Sequence, residues 1–408
     1  MSLLTGQPQA HHATQIGMDV RGPLICAPES IRTVFIVTLA AASAPLCAGI
    51  VLFGWRAAVV AAICIGSCAN IERLYYRVTR MPALMGRSHA YLTGVLLALT
   101  LPPTAPWYVP VVASAFAIIV GKAVFGGVGH FLWQPALVGR LAAAVLFAGA
   151  MNPEYWPVLA QDRLLWGDAD KGRIVDDWRK WHGSCAPENA DAFVSRRSDV
   201  VLSGLRPSKA SYSALAYLPP PNELPKAPPA ALGQLPSMGE MLMGTVPGNI
   251  GETCAIVIVV AGLYLIYRNY LKWQLPVAVL CSAAAVAAAA PVYLAGPDDV
   301  AIEVWWPVLH QEGEVALTYV MYRLLSGGIV LSAFFLAGES TSRPTGAGGQ
   351  VIFGAGIGSL AMLLQLYVNT PIPAFMAVLA MNTLTPALDS LWRPRVLGRR
   401  RFEFLRRK

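Results

Sequence analysis

The chain is built from apolar runs too long and too frequent to be buried in one water-soluble core, and short Arg-rich and Pro-rich breaks separate them. Of its 408 residues 55% are hydrophobic and 13% charged, about half the charged fraction of an ordinary soluble domain. Such runs need lipid around them, so the pattern allows a polytopic membrane protein and excludes a soluble globule, a disordered chain, a collagen-like repeat and a disulfide scaffold. The net charge of +8 does not call for nucleic acid. Arg and Lys sit at the ends of apolar runs, where the positive-inside rule accounts for them, so the expected surroundings are the bilayer and no nucleic-acid partner.

About ten segments approach the ~17 to 25 apolar residues that cross a bilayer, at roughly 31–53, 56–71, 90–103, 107–124, 135–151, 250–267, 274–295, 317–337, 350–368 and 372–390. The third is cut off by Pro102 and Pro103, and the stretch before the fifth holds Gly126, Gly127, Gly129 and Pro135. Both therefore read as broken or re-entrant. Broken backbone at membrane depth is tolerated only against protein or a cavity, which makes these places candidate ligand sites. Five of the seven cysteines (Cys47, Cys64, Cys68, Cys254 and Cys281) lie in or at apolar runs and read as small hydrophobes. Cys64 and Cys68 share a helix face but have no second pair or His beside them to complete a metal set.

Basic residues set the orientation. Arg73, Arg77, Arg80 and Arg87 follow the second segment, Lys122 the fourth, Arg268 and Lys272 the sixth, and Arg343 the eighth. With the Arg-rich tail they share one side if the number of spans is even and both termini are cytoplasmic. The first thirty residues lack the apolar core of a secretory signal, in keeping with a cytoplasmic N-terminus. The chain then divides into a cytoplasmic arm (1–30), a first membrane half (31–151), an extracytoplasmic segment (152–246), a second membrane half (247–390) and a basic cytoplasmic tail (391–408). The extracytoplasmic segment holds ten basic and eleven acidic residues, four tryptophans and a Pro-rich run from Pro219 to Pro229, and reads as part folded and part linker.

The halves echo one another: Leu92-Thr93-Gly94 is matched by Leu325-Ser326-Gly327, and Pro135-Ala136-Leu137 by Pro386-Ala387-Leu388. Five spans per half would make an inverted repeat, with sites near the midplane at the junction of the halves. Coincidence between Leu-, Ala- and Gly-rich helices is the alternative. The fold expected is an all-α polytopic membrane protein of about ten transmembrane helices in two five-helix inverted repeats, with a long extracytoplasmic loop.

Particular residues also carry a resemblance. The run Leu92 to Pro103, then Gly121-Lys122, Phe125-Gly126-Gly127-Val128-Gly129-His130 and Gln134-Pro135-Ala136-Leu137-Val138-Gly139-Arg140, resembles the RnfD protein of the Rnf electron-transport complex and the NqrB protein of the sodium-translocating NADH:quinone oxidoreductase. Gly248-Asn249-Ile250-Gly251-Glu252-Thr253, the Leu-Ser-Gly-Gly run at 325–328, Met381-Asn382 and Arg393-Pro394-Arg395-Val396 continue it in order. The likeness runs from about residue 21 to 398, except for roughly 152–197. It implies a multi-pass component of a bacterial inner membrane that carries flavin (FMN or riboflavin) and passes electrons across the bilayer. Other membrane subunits of a redox complex would be its partners.

In that family an FMN is esterified to the Thr of a Ser/Thr-Gly-Ala-Thr motif on the outer side. Here the stretch reads Asp199-Val200-Val201-Leu202-Ser203-Gly204-Leu205-Arg206-Pro207, with Arg206 where the Thr would stand. A guanidinium cannot form that ester, although it can grip phosphate with two hydrogen bonds. Family-type attachment is therefore expected to be lost and the flavin to be noncovalent, with Ser203 and Ser208 as the nearest hydroxyls for a shifted linkage. Arg206 beside Lys209 also fits a plain surface charge. The family's Asn-Pro-Phe-Asn-Pro-Ala run appears as Phe131-Leu132-Trp133-Gln134-Pro135-Ala136, and its Thr-Asp-Pro as Gly338-Glu339-Ser340. The redox core is thus altered as well.

Ionisable groups in apolar runs are costly and usually paired or functional. Lys122 and Arg140 bracket the Gly-rich stretch and could hold a flavin phosphate or ring carbonyl with His130, while topology signalling explains Lys122 equally well. Glu252 opens the sixth span, either as a cation ligand or as a carboxylate favoured by the helix dipole. Thr253 and Asn382 complete the cofactor-binding candidates. Glu303, His310, Glu312 and Glu314, with Trp305 and Trp306, read as an interfacial segment rather than a metal site. No hydrolase elbow, P-loop, dinucleotide fingerprint or Cys-x-x-Cys is present, so any reaction belongs to a cofactor. The competing readings are a flavin-free transporter or an assembly scaffold on the same fold.

Overall fold

In the computed structural model the residues described are 31–79, 88–127, 129–151, 156–157, 194–195, 238–244, 246, 248–295, 301–304, 313–368, 370 and 372–391. The first half comprises α1 (Ile31–Phe53), α2 (Trp55–Thr79), α3 (Ser88–Thr100), α4 (Tyr108–Ile118), which widens into a π-turn at Ile119–Ala123, α5 (Pro135–Leu146) and the short α6 (Ala148–Met151). Strands β1 (Trp156–Pro157) and β2 (Val194–Ser195) pair antiparallel. The second half comprises α7 (Met238–Met243), α8 (Ala255–Tyr267), α9 (Gln274–Ala289), the antiparallel pair β3 (Val292–Ala295) and β4 (Ala301–Val304), α10 (Gly313–Leu325), α11 (Ile329–Leu331) with a π segment at Ser332–Leu336, α12 (Ala347–Tyr367) and α13 (Pro373–Leu391).

These helices form because their sequences are apolar on every side. α8 buries Ile258, Ala261 and Leu265 and still exposes Ile256, Val260, Leu263, Tyr264 and Tyr267. A helix like that has no water-facing side and belongs in lipid. Among the described residues, four helices (Arg32–Phe53, Trp55–Thr79, Ala347–Tyr367 and Pro373–Leu391) are long and apolar enough to cross a membrane, and the bent pair Ala316–Leu325 with Ile329–Leu336 makes a fifth if it is one span. Five more apolar helices are shorter. The chain is a helical polytopic membrane protein.

One expectation needs correction. The seventh segment does not run on as helix to 295: α9 stops at Ala289, Ala290 is extended, and Val292–Ala295 is a strand. Pro291 explains this, since a proline pushes the residue before it out of the helical region. The third segment ends at Thr100 in a buried turn containing Leu101, Pro102, Pro103 and Ala105, and the fifth is α5 to Leu146 and then the short α6. A further break, not expected, falls in the eighth segment between Leu325 and Ile329, with a bend of 65°.

The halves are packed alike. In the first, α3 lies against α1 and α2, α2 against α4, α4 against α5, and α5 returns to α3. In the second, the bent α10–α11 unit takes the place of α3: its parts lie against α8 and α9, α9 against α12, α12 against α13, and α13 returns to the π segment. Between halves α1 meets α8 and α5 meets α13. Lipid gives no hydrophobic drive between helices, so close approach must supply the attraction, and small residues permit it. At the α9–α12 contact a Cβ on Gly358 would run into the Val279 carbonyl and the Ser282 hydroxyl.

Gly358→Ala is accordingly expected to cost about 1 to 3 kcal/mol, read as a lower midpoint of thermal unfolding in detergent. Gly149→Ala, where a Cβ meets nothing within 4 Å, should leave the midpoint in place. Equal midpoints for the two variants would refute the close-approach account.

Candidate functional site

Linked helices alternate in direction, so one end of the body collects the C-termini of α2, of the π-turn and of the 332–336 segment with the N-termini of α3, α5 and α12. A buried ion pair and a buried histidine–carboxylate contact lie at this end. Lys122 Nζ donates to Glu72 Oε2 at 2.8 Å, with 2% and 8% of the side chains exposed. His89 Nε2 stands 2.9 Å from Glu339 Oε1, and both residues are buried. The Lys122 and Glu72 charges, removed from water, offset their desolvation only at such a distance. Neither pair is local in sequence, since each joins elements far apart in the chain.

Between the π-turn and α5 the chain turns on three glycines with positive φ, Gly126 at 94°, Gly127 at 100° and Gly129 at 95°. The Tyr75 hydroxyl donates to the Ala123 carbonyl at 3.4 Å, and the Tyr76 hydroxyl approaches Gly127. His130 is exposed at the tip of this turn. Gln134 starts α5: its side-chain oxygen accepts from Leu137 N–H at 2.8 Å, and Pro135 follows as the first helical residue, which needs no donor. The Gln134 Nε2 is buried without a partner among the described residues. Arg140, further along α5, is wholly buried. Lys122, the three glycines, His130, Gln134 and Arg140 thus belong to one end of the body, with the Lys122 ammonium turned to Glu72 rather than to the loop.

At the opposite end a turn before α8 closes off α3. Ile250 N–H donates to Leu101 O at 3.0 Å and Gly251 N–H to Leu99 O at 2.9 Å, giving partners to carbonyls that the helix end leaves open. The same turn fixes Glu252. Its Oε1 accepts from Asn249 N–H at 3.0 Å and its Oε2 from Asn249 Nδ2 at 2.9 Å. That carboxylate faces the break in the bent span, where a Cβ on Gly328 would stand 2.9 Å from Glu252 Oε2. Gly327 and Gly328 have φ of 74° and 73°, a region open to glycine at no steric cost. Beside them Gln365 Nε2 donates to Ser326 Oγ at 2.7 Å, and the Phe375 ring packs on Gly328. Asn249 Oδ1 and Thr253 Oγ1 are buried without partners among the described residues. Farther along α13, Asn382 is wholly buried, and neither of its side-chain polar atoms has a hydrogen bond among the described residues.

The candidates therefore form two groups, Lys122 to Arg140 at one end and Glu252 with Thr253 at the other, with Asn382 buried on α13. Ser203, Gly204, Arg206 and Ser208 lie outside the described residues. Glu72, His89 and Gln365 escaped the sequence reading, and Ser326 and Glu339 entered it only through motif comparisons. A Glu and a His inside apolar runs are themselves a signal, because such groups must find partners. Which partners they find is settled by packing.

The family model of the NQR2, RnfD, RnfE family matches residues 20–398. One component of the ion-translocating oxidoreductase complex of Halorhodospira halophila is 28% identical over 388 residues, covering 94% of this chain and 96% of that one. Its counterpart in the complex of the same name from Stutzerimonas stutzeri is 30% identical over 353 residues, 86% of this chain and 87% of the relative. The corresponding component of the Na(+)-translocating ferredoxin:NAD(+) oxidoreductase complex of Acetobacterium woodii is 29% identical over 355 residues, 85% and 84% of the two chains.

The Glu72–Lys122 pair yields a test of its own. Lys122→Met strands a buried carboxylate and should destabilise the protein by about 3 to 5 kcal/mol, and adding Glu72→Gln should recover most of the loss. Unfolding curves in detergent measure both, and a Lys122→Met protein as stable as the wild type would show that the pair contributes nothing.

Proposed function

The chain belongs to the NQR2, RnfD, RnfE family, and on that premise we propose that it is the flavin-binding membrane subunit of an Rnf- or Nqr-like electron-transport complex, lying in a bacterial inner membrane and passing electrons across it. The observation that carries this reading is the reach of the match. Residues 20–398 take in both membrane halves, and the relatives aligned over most of their length are named as subunits of ion-translocating oxidoreductase complexes. Other membrane subunits of such a complex are its partners.

The architecture that goes with this is ten spans in two inverted repeats with both termini cytoplasmic. The parallel neighbour relations of the halves support it, as do the contacts between equivalent helices, α1 with α8 and α5 with α13. The ten apolar helical units, with the bent pair counted once, support it too.

A noncovalent flavin fits the polar groups on hand. An isoalloxazine edge offers carbonyl oxygens and an N–H, and a buried carboxamide with both atoms unpartnered among the described residues, such as Asn382, can meet both kinds of group. Gln134 Nε2, with the buried Arg140 on the same helix, offers a further partner at one end of the body, and Thr253 Oγ1 offers a separate one at the other. When bound, the flavin supplies the electron-carrying ring, and the protein holds it, orients it and keeps water away. The outer stretch Ser203-Gly204-Leu205-Arg206 argues against the family's ester linkage, because Arg206 has no hydroxyl to give.

The full-length protein, purified in detergent, tests both parts. Flavin absorption near one equivalent per chain, released on denaturation, with no fluorescent band on a denaturing gel under ultraviolet light, is the expected result. A fluorescent band at the mass of the chain overturns the loss of attachment. Absence of flavin from the assembled complex overturns the electron-carrier reading.

A further inference from the structure

Oxygen atoms collect where the bent span breaks. Glu252 Oε2 stands 2.9 Å from the place a Cβ on Gly328 would take, and the Phe375 ring covers the same glycine. Asn249 Nδ2 donates to Glu252 Oε2 at 2.9 Å, so Oδ1, the other atom of that carboxamide, lies beside the carboxylate. Asn249 is 0% exposed, and its Oδ1 has no hydrogen bond among the described residues. Thr253 is 3% exposed, with Oγ1 equally unpartnered there. Ser332 stands one turn beyond Gly328, its N–H donating to the Gly328 carbonyl at 3.0 Å, and its Oγ is buried without a partner among the described residues as well.

What these atoms can bind decides what fits between them. A carboxylate and an amide oxygen only accept, and a hydroxyl oxygen accepts as readily as it donates, so the group they share brings positive charge. Backbone adds to the demand. α10 is a 13-residue helix that ends at Leu325, and the last carbonyls of a helix carry the negative end of its dipole. Arg323, on the last turn of α10, is directed elsewhere: its guanidinium lies over the Tyr319 ring at 5.3 Å, and its Nε donates to the Tyr319 hydroxyl at 3.3 Å, one turn back from the break.

From this convergence we propose that the 248–253 turn and the break at 325–328 form a binding site for a single alkali-metal cation, with Glu252, Asn249 Oδ1 and Thr253 Oγ1 as its ligands and Ser332 Oγ and the end carbonyls of α10 completing the shell. Hard oxygen donors of this kind select alkali and alkaline-earth ions over transition metals. One carboxylate balances one positive charge, and a divalent ion would leave a charge uncompensated in apolar surroundings, where that is costly. The cation held here is a fixed clamp that joins the turn closing off α3 to the broken span. It needs no flavin: Gln134 lies at the opposite end of the body and Asn382 farther along α13, and both stay available to one, while Thr253 passes to the cation.

Full-length protein, purified in detergent with choline chloride as the only salt, tests the site by equilibrium dialysis against radioactive sodium at constant ionic strength, with KCl, LiCl and CaCl2 as competitors, and by thermal unfolding in each salt alone. The wild type is expected to take up one sodium ion per chain saturably, with an unfolding midpoint that rises as the site fills. Thr253→Val and Ser332→Ala should each weaken uptake about tenfold, Glu252→Gln should abolish it, and Gly149→Ala should bind like the wild type. No saturable sodium uptake together with no stabilisation by KCl or LiCl overturns the proposal, as does uptake unchanged in both Glu252→Gln and Thr253→Val, or displacement of the sodium by an equal concentration of CaCl2. Should Glu252→Gln fail to fold, Thr253→Val decides alone. Flavin measured on the same samples separates this from the electron-transport reading: cation uptake by protein without flavin leaves the clamp standing, and flavin lost from Thr253→Val with cation uptake unchanged overturns it.

Discussion

Lipid offers a backbone nothing to bond to, and the rest of this structure follows from that constraint. Every N–H and C=O at membrane depth must find its partner inside the protein. Helices satisfy most of them, and the informative places are where helices stop early. α3 ends at Thr100, so the carbonyls of Leu99 and Leu101 would face an apolar medium were they not met by the amides of Gly251 and Ile250. A short helix on one half therefore obliges a turn of the other half to be present. That turn in turn carries Glu252, whose carboxylate is anchored on Asn249 and presented to the glycines of the bent span.

The same logic makes α3 an element of both halves. Its neighbours α1 and α2 come from the first half, yet each of its ends is bound to the second: Leu99 and Leu101 to the 248–253 turn, His89 to Glu339. Its middle is closed by Leu92, Leu96, Leu97 and Ala98, all buried. A helix held this way cannot shift against one half without stretching a contact to the other. The bent α10–α11 unit stands in the equivalent place of the second half, but it is broken at Gly327 and Gly328 where α3 is one continuous helix. The two halves share a packing plan while differing in continuity at the corresponding element.

Much of this was legible in the sequence. Apolar run length predicted the helical membrane body, and the Leu-Thr-Gly and Leu-Ser-Gly echoes fell on elements that have corresponding neighbours. Breaks were harder to place. Pro102 and Pro103 advertise an interruption, whereas Gly327-Gly328 looks no different from the many small residues that merely let helices approach. Tertiary surroundings decide which glycine bends: here Glu252, Gln365 and Phe375 crowd the pair. The Glu72–Lys122 ion pair was illegible for a similar reason. Glu72 precedes Arg73 and reads as part of a basic, solvated cluster, and only folding reveals that it turns inward to Lys122, 50 residues away.

Under the proposed function, the departure at Arg206 bears on how a flavin would be kept rather than on whether one would be bound. An ester guarantees occupancy whatever the concentration of free flavin. A noncovalent site must instead bind with a dissociation constant well below that concentration, since occupancy and the stability it confers both follow the ratio of ligand to Kd. Burial is the physical route to such affinity. Polar atoms enclosed without partners, as those of Asn382 are among the described residues, would gain a full hydrogen bond on binding because they give up none to water. On that proposal, a chain without the esterified threonine would place stronger demand on prearranged polar groups in its interior, where Asn382, Gln134 and Thr253 carry polar atoms with no hydrogen bond among the described residues.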